Sequence, residues 1–214
     1  MQSAPHPLPA PVEPTPEVRH LGRVEYEPTW RAMQHFSETR GLDARDELWI
    51  VEHPPVFTIG LNGTPDHLLR RSEIPVVHVD RGGQITYHGP GQLVIYLLLD
   101  LRRRNYGVRE LVRRMERAVV ALLGEEGIAA AGDEAAPGVY VGNAKIAALG
   151  LRVRNGCCYH GVALNIDLDL APFADINPCG HAGMPVTRTR DLGLDLTVAA
   201  AGDRLSRHLL ALLN

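Results

Sequence analysis

The run LVIYLLLDL, residues 93–101, constrains the fold of this 214-residue chain more than any other stretch. Its uninterrupted apolar part, Leu93 to Leu99, is too short to cross a bilayer and shows no polar alternation. That is the pattern of a strand buried on both faces, which belongs inside a sheet covered by other elements. Immediately before it, RGGQITYHGPGQ at residues 81–92 reads as a strand bracketed by glycine turns at Gly82-Gly83 and at Gly89 and Gly91. Further upstream, ELWIVEHPPVFTIG and PVVHVD predict three strands, with Pro54-Pro55 separating the first two.

The helices follow from periodicity. A short strand from Val18 leads to Pro28, after which Trp30, Met33 and either Phe36 or Ser37 recur at helical spacing until Gly41. Val108, Leu111, Val112, Met115, Val119, Leu122 and Leu123 form one apolar stripe, loosened at its end by Gly124 and Gly127. From Gly138, three strand-like runs are joined at Gly142-Asn143 and Asn155-Gly156, both hairpin turn pairs. A last helix carries Val198, Ala201, Leu205, Leu209 and Leu212, with Thr197 as its N-cap. This order predicts an α+β fold, a mixed and largely antiparallel sheet with packed helices, rather than regular strand–helix alternation. Residues 1–17 hold six prolines and read as a flexible tail, leaving residues 18–214 as one domain.

A net charge of −3 leaves no basic excess for nucleic acid, and nothing in the pattern calls for a membrane. Three cysteines cannot pair completely, and the start lacks a charged segment followed by an apolar one, so a reduced, cytoplasmic protein is expected. Of the 22 basic residues, 21 are arginine and one, Lys145, is lysine. Guanidinium stays protonated, whereas an amine in a dry site can release a proton near neutrality. A single lysine in such a chain points to a titratable amine. Seven arginines between Arg102 and Arg117 read either as a solvated helix face or as a surface for an acidic protein.

Cys179 lies between Pro178 and Gly180, with His181 two residues on. A proline and a glycine can present a side chain from a rigid turn, as a thiolate nucleophile needs, but a buried turn cysteine fits as well. Cys158 with His160, and Cys179 with His181, also offer ligand pairs for a metal, at a spacing shorter than structural zinc sites use. Cys157 and Cys158, as consecutive strand residues, point to opposite faces and read as small packing residues. Around Arg81, glycine turns expose backbone N–H groups, the guanidinium can fork onto an oxyanion, and Thr86, Tyr87 and His88 bring polar groups, a set suited to a ligand with one polar head.

RGGQITYHGPGQ at 81–92, GVYVGNAKIAALG at 138–150, HGVALN at 160–165 and NPCG at 177–180 together resemble the octanoyltransferase family, also called lipoate-protein ligase B. The resemblance implies a fold like that of biotin and lipoate ligases. It also implies a cofactor-free, metal-free acyltransferase that moves an octanoyl group from acyl carrier protein to a lysine of a lipoyl domain. Acceptors would be the lipoyl domains of 2-oxoacid dehydrogenases and the glycine cleavage H protein. By resemblance Cys179 is the acyl-accepting nucleophile and Lys145 the residue that lowers its pKa and shuttles protons. Substrate contacts fall on Arg81, Gly82, Gly83, Gln84, Ile85, Thr86, Tyr87 and His88, on Ala148, Leu149 and Gly150, and on Gly161, Val162 and Ala163. His88 and His160 lie inside the motifs with their own roles open. The alternatives are an ATP-dependent lipoate or biotin ligase of the same fold, and a non-enzymatic Cys/His metal-binding or lipid-carrier module.

Overall fold

A computed structural model of the chain describes residues 14–70, 72–177 and 184–213. Its centre is a seven-stranded sheet in the order β1-β2-β6-β10-β9-β8-β7. These strands are β1 (Glu17–Arg23), β2 (Glu47–Glu52), β6 (Gln92–Asp100), β7 (Ala131–Gly132), β8 (Gly138–Val141), β9 (Ala144–Arg154) and β10 (Cys157–Asn165). Only β1 and β2 run parallel; the other pairs are antiparallel. A second, three-stranded sheet orders β4 (Val76–His78), β3 (Val56–Ile59) and β5 (Ile85–His88), with β3 between the others. The mixed, largely antiparallel α+β architecture is the one expected.

The apolar run Leu93–Leu99 lies in β6, and all nine residues of that strand are buried. Strand alternation divides them between two layers. Leu93, Ile95, Leu97 and Leu99 face α2 (Val108–Gly124) and α3 (Val198–Leu213), meeting Leu111, Met115, Leu122, Leu205 and Leu209. Val94, Tyr96 and Leu98 face the other way and pack with Tyr26, Trp30 and Met33 of α1 (Tyr26–Thr39). Each of the two layers is therefore one half of the same period-2 pattern. The β9–β10 hairpin turns at Asn155 and Gly156, both with positive φ, as a two-residue primed turn requires. Thr197 caps α3, its Oγ1 accepting from the Ala200 N–H at 3.2 Å.

Two expectations change. Pro14 and Thr15 belong to the expected tail, yet their carbonyls accept hydrogen bonds from Arg104 and Arg45, and β1 starts at Glu17. Residues 1–13 lie outside the described residues. The arginine run, in turn, divides: Arg102, Arg109, Arg113 and Arg117 are exposed, as a solvated face would be, whereas Arg103, Arg104 and Arg114 turn inward. Asp46, 1% exposed, receives Arg40 at 2.6 Å, Arg103 at 2.9 Å and Arg104 at 2.6 Å. Arg104 continues to the Leu213 carbonyl at 2.7 Å, and Arg114 donates to that of Leu212. Guanidinium groups thus satisfy the last carbonyls of α3, where the helix dipole favours positive charge. Removing one partner of a buried ion cluster strands the others. Asp46→Ala is expected to cost about 3–5 kcal/mol and to lower the melting temperature by roughly 10 °C; calorimetry on the two proteins checks it.

Candidate active site

The site is a cavity of about 550 Å³ against the β6-β10-β9 part of the sheet, within the range of small-molecule pockets. Val94, Leu149, Val162 and Ala163 give it apolar walls, while Lys145, His88, His160, Gln92, Asn165 and Arg81 supply polar groups. The glycine loop before β5 borders it with Gly82, Gly83 and Gln84, and β5 adds Ile85, Thr86 and His88. Ala148 and Gly150 come from β9, and Gly161 from β10. Sixteen residues of the motifs at 81–92, 138–150 and 160–165 thus share one cavity with Lys145. Tyr87 does not: it packs on the far side of the small sheet against Phe57 and Phe173. Cys179 and His181 lie outside the described residues.

Lys145 is 8% exposed. Its Nζ donates to the Pro137 carbonyl at 3.4 Å and lies 5.2 Å from the centre of the Tyr140 ring. Space for it depends on Gly138, where an added Cβ would come within 2.7 Å of Lys145 Cε. The main chain of Lys145 is clamped by residues 185–187, which follow Cys179 in sequence: its N–H donates to Pro185 O at 2.8 Å, and Thr187 N–H donates to its carbonyl at 3.0 Å. Two residues before Cys179, Asn177 N–H donates to His67 O at 2.8 Å.

The two motif histidines separate. His160 pairs across the hairpin with Leu151, six residues along β9 from Lys145, or about 20 Å at the rise of an extended strand. His88 instead bonds Gln92, which opposes Asn165 in the sheet register, next to Lys145. His160 is the remote one. It takes φ of +65° in the middle of β10, a backbone state that a bulky residue occupies only under compensation. This turn of the backbone breaks the alternation and brings His160 to the same side as Tyr159, where both donate to Asp80, His160 Nε2 at 3.1 Å. Trp30 and Gln34 donate to the same carboxylate at 2.9 and 3.2 Å. Burial would raise the Asp80 pKa, but these hydrogen bonds, His160 first, more than offset it and hold the group well below the usual carboxylate range. Next to it, Gly161 cannot carry a side chain: a Cβ would lie 2.1 Å from the Ile95 carbonyl. Arg81 is also committed, with Nη2 donating to Thr58 O at 2.7 Å and Nη1 to Gly82 O at 2.9 Å. It shapes the glycine loop.

Cys158 and His160 do not form a ligand pair. Cys158 lies in the α2/α3 core with its Sγ 3.4 Å from Leu97 O, and burial pushes its thiol up to about 12. His160 faces the opposite layer. Cys157 is buried beside Arg102.

Asp80, Gln92, Asn165, His53 and Tyr96 were not singled out from sequence. Asp80 ends the PVVHVD strand directly before Arg81, and Gln92 and Asn165 close two of the quoted motifs, so position within the motifs was the available signal. His53, fully buried, donates through Nδ1 to Val24 O at 2.7 Å and therefore accepts from Tyr96 OH at Nε2, 2.6 Å away. Burial pushes His53 down to about 4; burial, with a further contribution from His53, pushes His88 down to about 3. Because both folded values lie below the unfolded one, the stability they contribute is complete above pH ~6.5 and declines as pH falls toward 4 and 3. Unfolding at pH 5 should take up about two protons at these rings, seen in calorimetry as a melting enthalpy that depends on buffer ionisation.

Residues 25–210 match the lipoyl protein ligase A/B catalytic domain. An octanoyltransferase of Chromobacterium violaceum is 64% identical over 192 residues, 90% of this chain and 93% of the relative. The chain belongs to the octanoyltransferase family. A second octanoyltransferase, from Laribacter hongkongensis, is 63% identical over the same shares of both chains. Lipoate-protein ligase A in its ATP-bound crystal structure superposes with a TM-score of 0.78 at 17% identity, over 94% of this chain and 86% of that one. The fold is shared with the lipoate ligases, as the resemblance implied. Membership of the octanoyltransferases makes this chain an acyltransferase, and three of the motifs that carried the resemblance, at 81–92, 138–150 and 160–165, are brought to one cavity in the fold. No helix among the described residues is long and apolar enough to cross a membrane.

Proposed function

We propose that this enzyme moves an octanoyl group from acyl carrier protein to a lysine of lipoyl domains, through a thioester on Cys179. The acceptors are the lipoyl domains of 2-oxoacid dehydrogenases and the glycine cleavage H protein, and the setting is the cytoplasm. Support comes first from Lys145, a buried amine that borders an apolar cavity and whose main chain pairs with the segment following Cys179. The apolar walls suit a hydrocarbon chain, and the glycine loop, Ala148–Gly150 and Gly161–Ala163 are its binding surface. At the cavity, Val108 and Val112 of α2 contribute apolar edges, and Arg109 and Arg113 of the same helix are exposed for an acidic carrier.

The reaction balances without a nucleotide. The Cys179 thiol passes its proton to Lys145, and the thiolate attacks the octanoyl carbonyl. A new C–S bond forms, the bond to the carrier sulfur breaks, and the leaving thiolate takes the proton back. The neutral amine of the acceptor lysine then attacks: a C–N bond forms, the C–S bond to Cys179 breaks, and the amine proton passes through Lys145 to the cysteine. Thioester exchange is nearly balanced, and aminolysis to an amide runs downhill. Mass spectrometry of the protein mixed with octanoyl-acyl carrier protein should find one octanoyl group on the peptide containing Cys179. An active enzyme that never carries the group would overturn the covalent route, and a strict requirement for ATP with free octanoate would replace it by a ligase reaction.

A further inference from the structure

One hydrogen-bonded relay crosses the floor of the cavity, and its direction is fixed from one end. The Thr187 carbonyl can only accept, so Asn165 presents its Nδ2 to it at 3.0 Å and turns Oδ1 toward Gln92. Gln92 must then donate: Nε2 meets Asn165 Oδ1 at 3.0 Å and the Tyr87 carbonyl at 3.3 Å. That leaves Gln92 Oε1 as the acceptor for His88, whose Nδ1 lies 2.7 Å away and so carries the hydrogen. Gln92 is 2% and Asn165 5% exposed, so water does not compete for these bonds. The ring of His88 is held flat by Tyr26, stacked at 5.5 Å, and edge-on by His53 at 6.1 Å.

A neutral imidazole with hydrogen on Nδ1 has a bare lone pair on Nε2. His88 stays neutral because burial, and then His53, with Arg81 and His160 as further cations or dipoles around it, disfavour a second proton. Its ring borders the same cavity as Lys145. A lone pair there rejects an oxygen or sulfur acceptor and matches a donor. The reacting atoms of a thioester, carbonyl oxygen and sulfur, only accept. Of the reacting groups that the substrates bring, the one that donates is the ε-amine of the acceptor lysine.

We propose that Gln92 and Asn165 are positioning residues that hold His88 as the Nδ1–H tautomer, so that its Nε2 accepts a hydrogen bond from the ε-amine of the acceptor lysine during octanoyl transfer. This rests on the octanoyl-transfer reading. The relay orients the amine and takes no proton; the proton leaves by the path through Lys145. Because Thr187 also donates to the Lys145 carbonyl, the same relay ties the amine-binding wall to the strand segment holding the lysine.

Long-range proton–nitrogen NMR on the full chain with 15N-labelled histidine reads the tautomer directly, with the His88 signals assigned by their loss in His88→Gln. An unprotonated Nε2 and protonated Nδ1 are expected; the opposite tautomer or an even mixture overturns the proposal. In Gln92→Leu the two tautomers should mix, and transfer from octanoyl-Cys179 to a lipoyl domain should slow about 10- to 100-fold, the effect of losing a partner that orients an imidazole. Formation of the octanoyl adduct should change less than about threefold, because that half-reaction brings no amine. An unchanged amine step, or an equal loss in both half-reactions, overturns the role. Should Gln92→Leu fail to fold, the wild-type tautomer still decides. A wild-type protein that takes up no octanoyl group would defeat the transfer reading, while the ring nitrogens would still report whether the relay sets the tautomer.

Discussion

Cys179→Ser is expected to fold like the wild-type protein and to transfer octanoyl groups slower by about 10⁴- to 10⁶-fold, the range lost when a covalent catalyst loses its nucleophile. The reasoning is chemical. A hydroxyl is a far weaker acid than a thiol, so an amine that can take the proton from sulfur cannot take it from oxygen at neutral pH. The nucleophile would be absent, not merely slower. An oxygen ester formed in its place would also be a poorer acyl donor to an amine than a thioester. Circular dichroism and thermal melting should match those of the wild type, since the exchange replaces one sulfur atom by an oxygen. The check is initial-rate transfer to a purified lipoyl domain together with adduct mass spectrometry. Wild-type rates in the variant would remove Cys179 from the chemistry.

Lys145→Arg should lose about 10²- to 10⁴-fold in transfer, the contribution of a positioned acid–base group. Positive charge is retained, so a purely electrostatic role for Lys145 predicts a mild effect. The severe loss follows because guanidinium does not give up its proton under these conditions, so neither the cysteine nor the incoming amine has a base. Geometry adds to this. Lys145 threads between Pro137, Tyr140 and Gly138, and Gly138 leaves room for the slender Cε and Nζ rather than a planar fork. One further variant separates these causes. Steric exclusion alone would be relieved in Lys145→Met, whereas loss of the base would leave that variant as inactive as the arginine. Full activity in Lys145→Arg would end the argument drawn from the one lysine of the chain.

Much of this was legible before any coordinates. The apolar run at Leu93–Leu99, the heptad-like stripe from Leu111 to Leu123, the Asn155-Gly156 turn and the Thr197 cap are local signals, and each found its element. They are legible because period, turn chemistry and capping act within a few residues. The inward members of the arginine run were not legible because their partners are remote in sequence: Asp46 lies 58 residues before Arg104, and the Leu213 carbonyl 109 after it. Charge density along a helix is visible in a row of letters. The buried carboxylate that absorbs it is not.

By itself, then, the order of residues determined the α+β architecture, the four motifs and the pairing of one cysteine with one lysine as candidates. Periodicity and residue chemistry are properties of the chain. Only the tertiary structure gave the two histidines different partners. His88 is bonded to Gln92, which opposes Asn165 in the register, whereas His160 lies opposite Leu151, six residues along β9 from Lys145, and is bound to Asp80. Likewise Gln92 and Asn165, 73 residues apart, became one relay when their strands paired. The physical reason is directional: a hydrogen bond needs its donor and acceptor at fixed separation and angle, and strand register supplies that across distances where sequence spacing has no meaning.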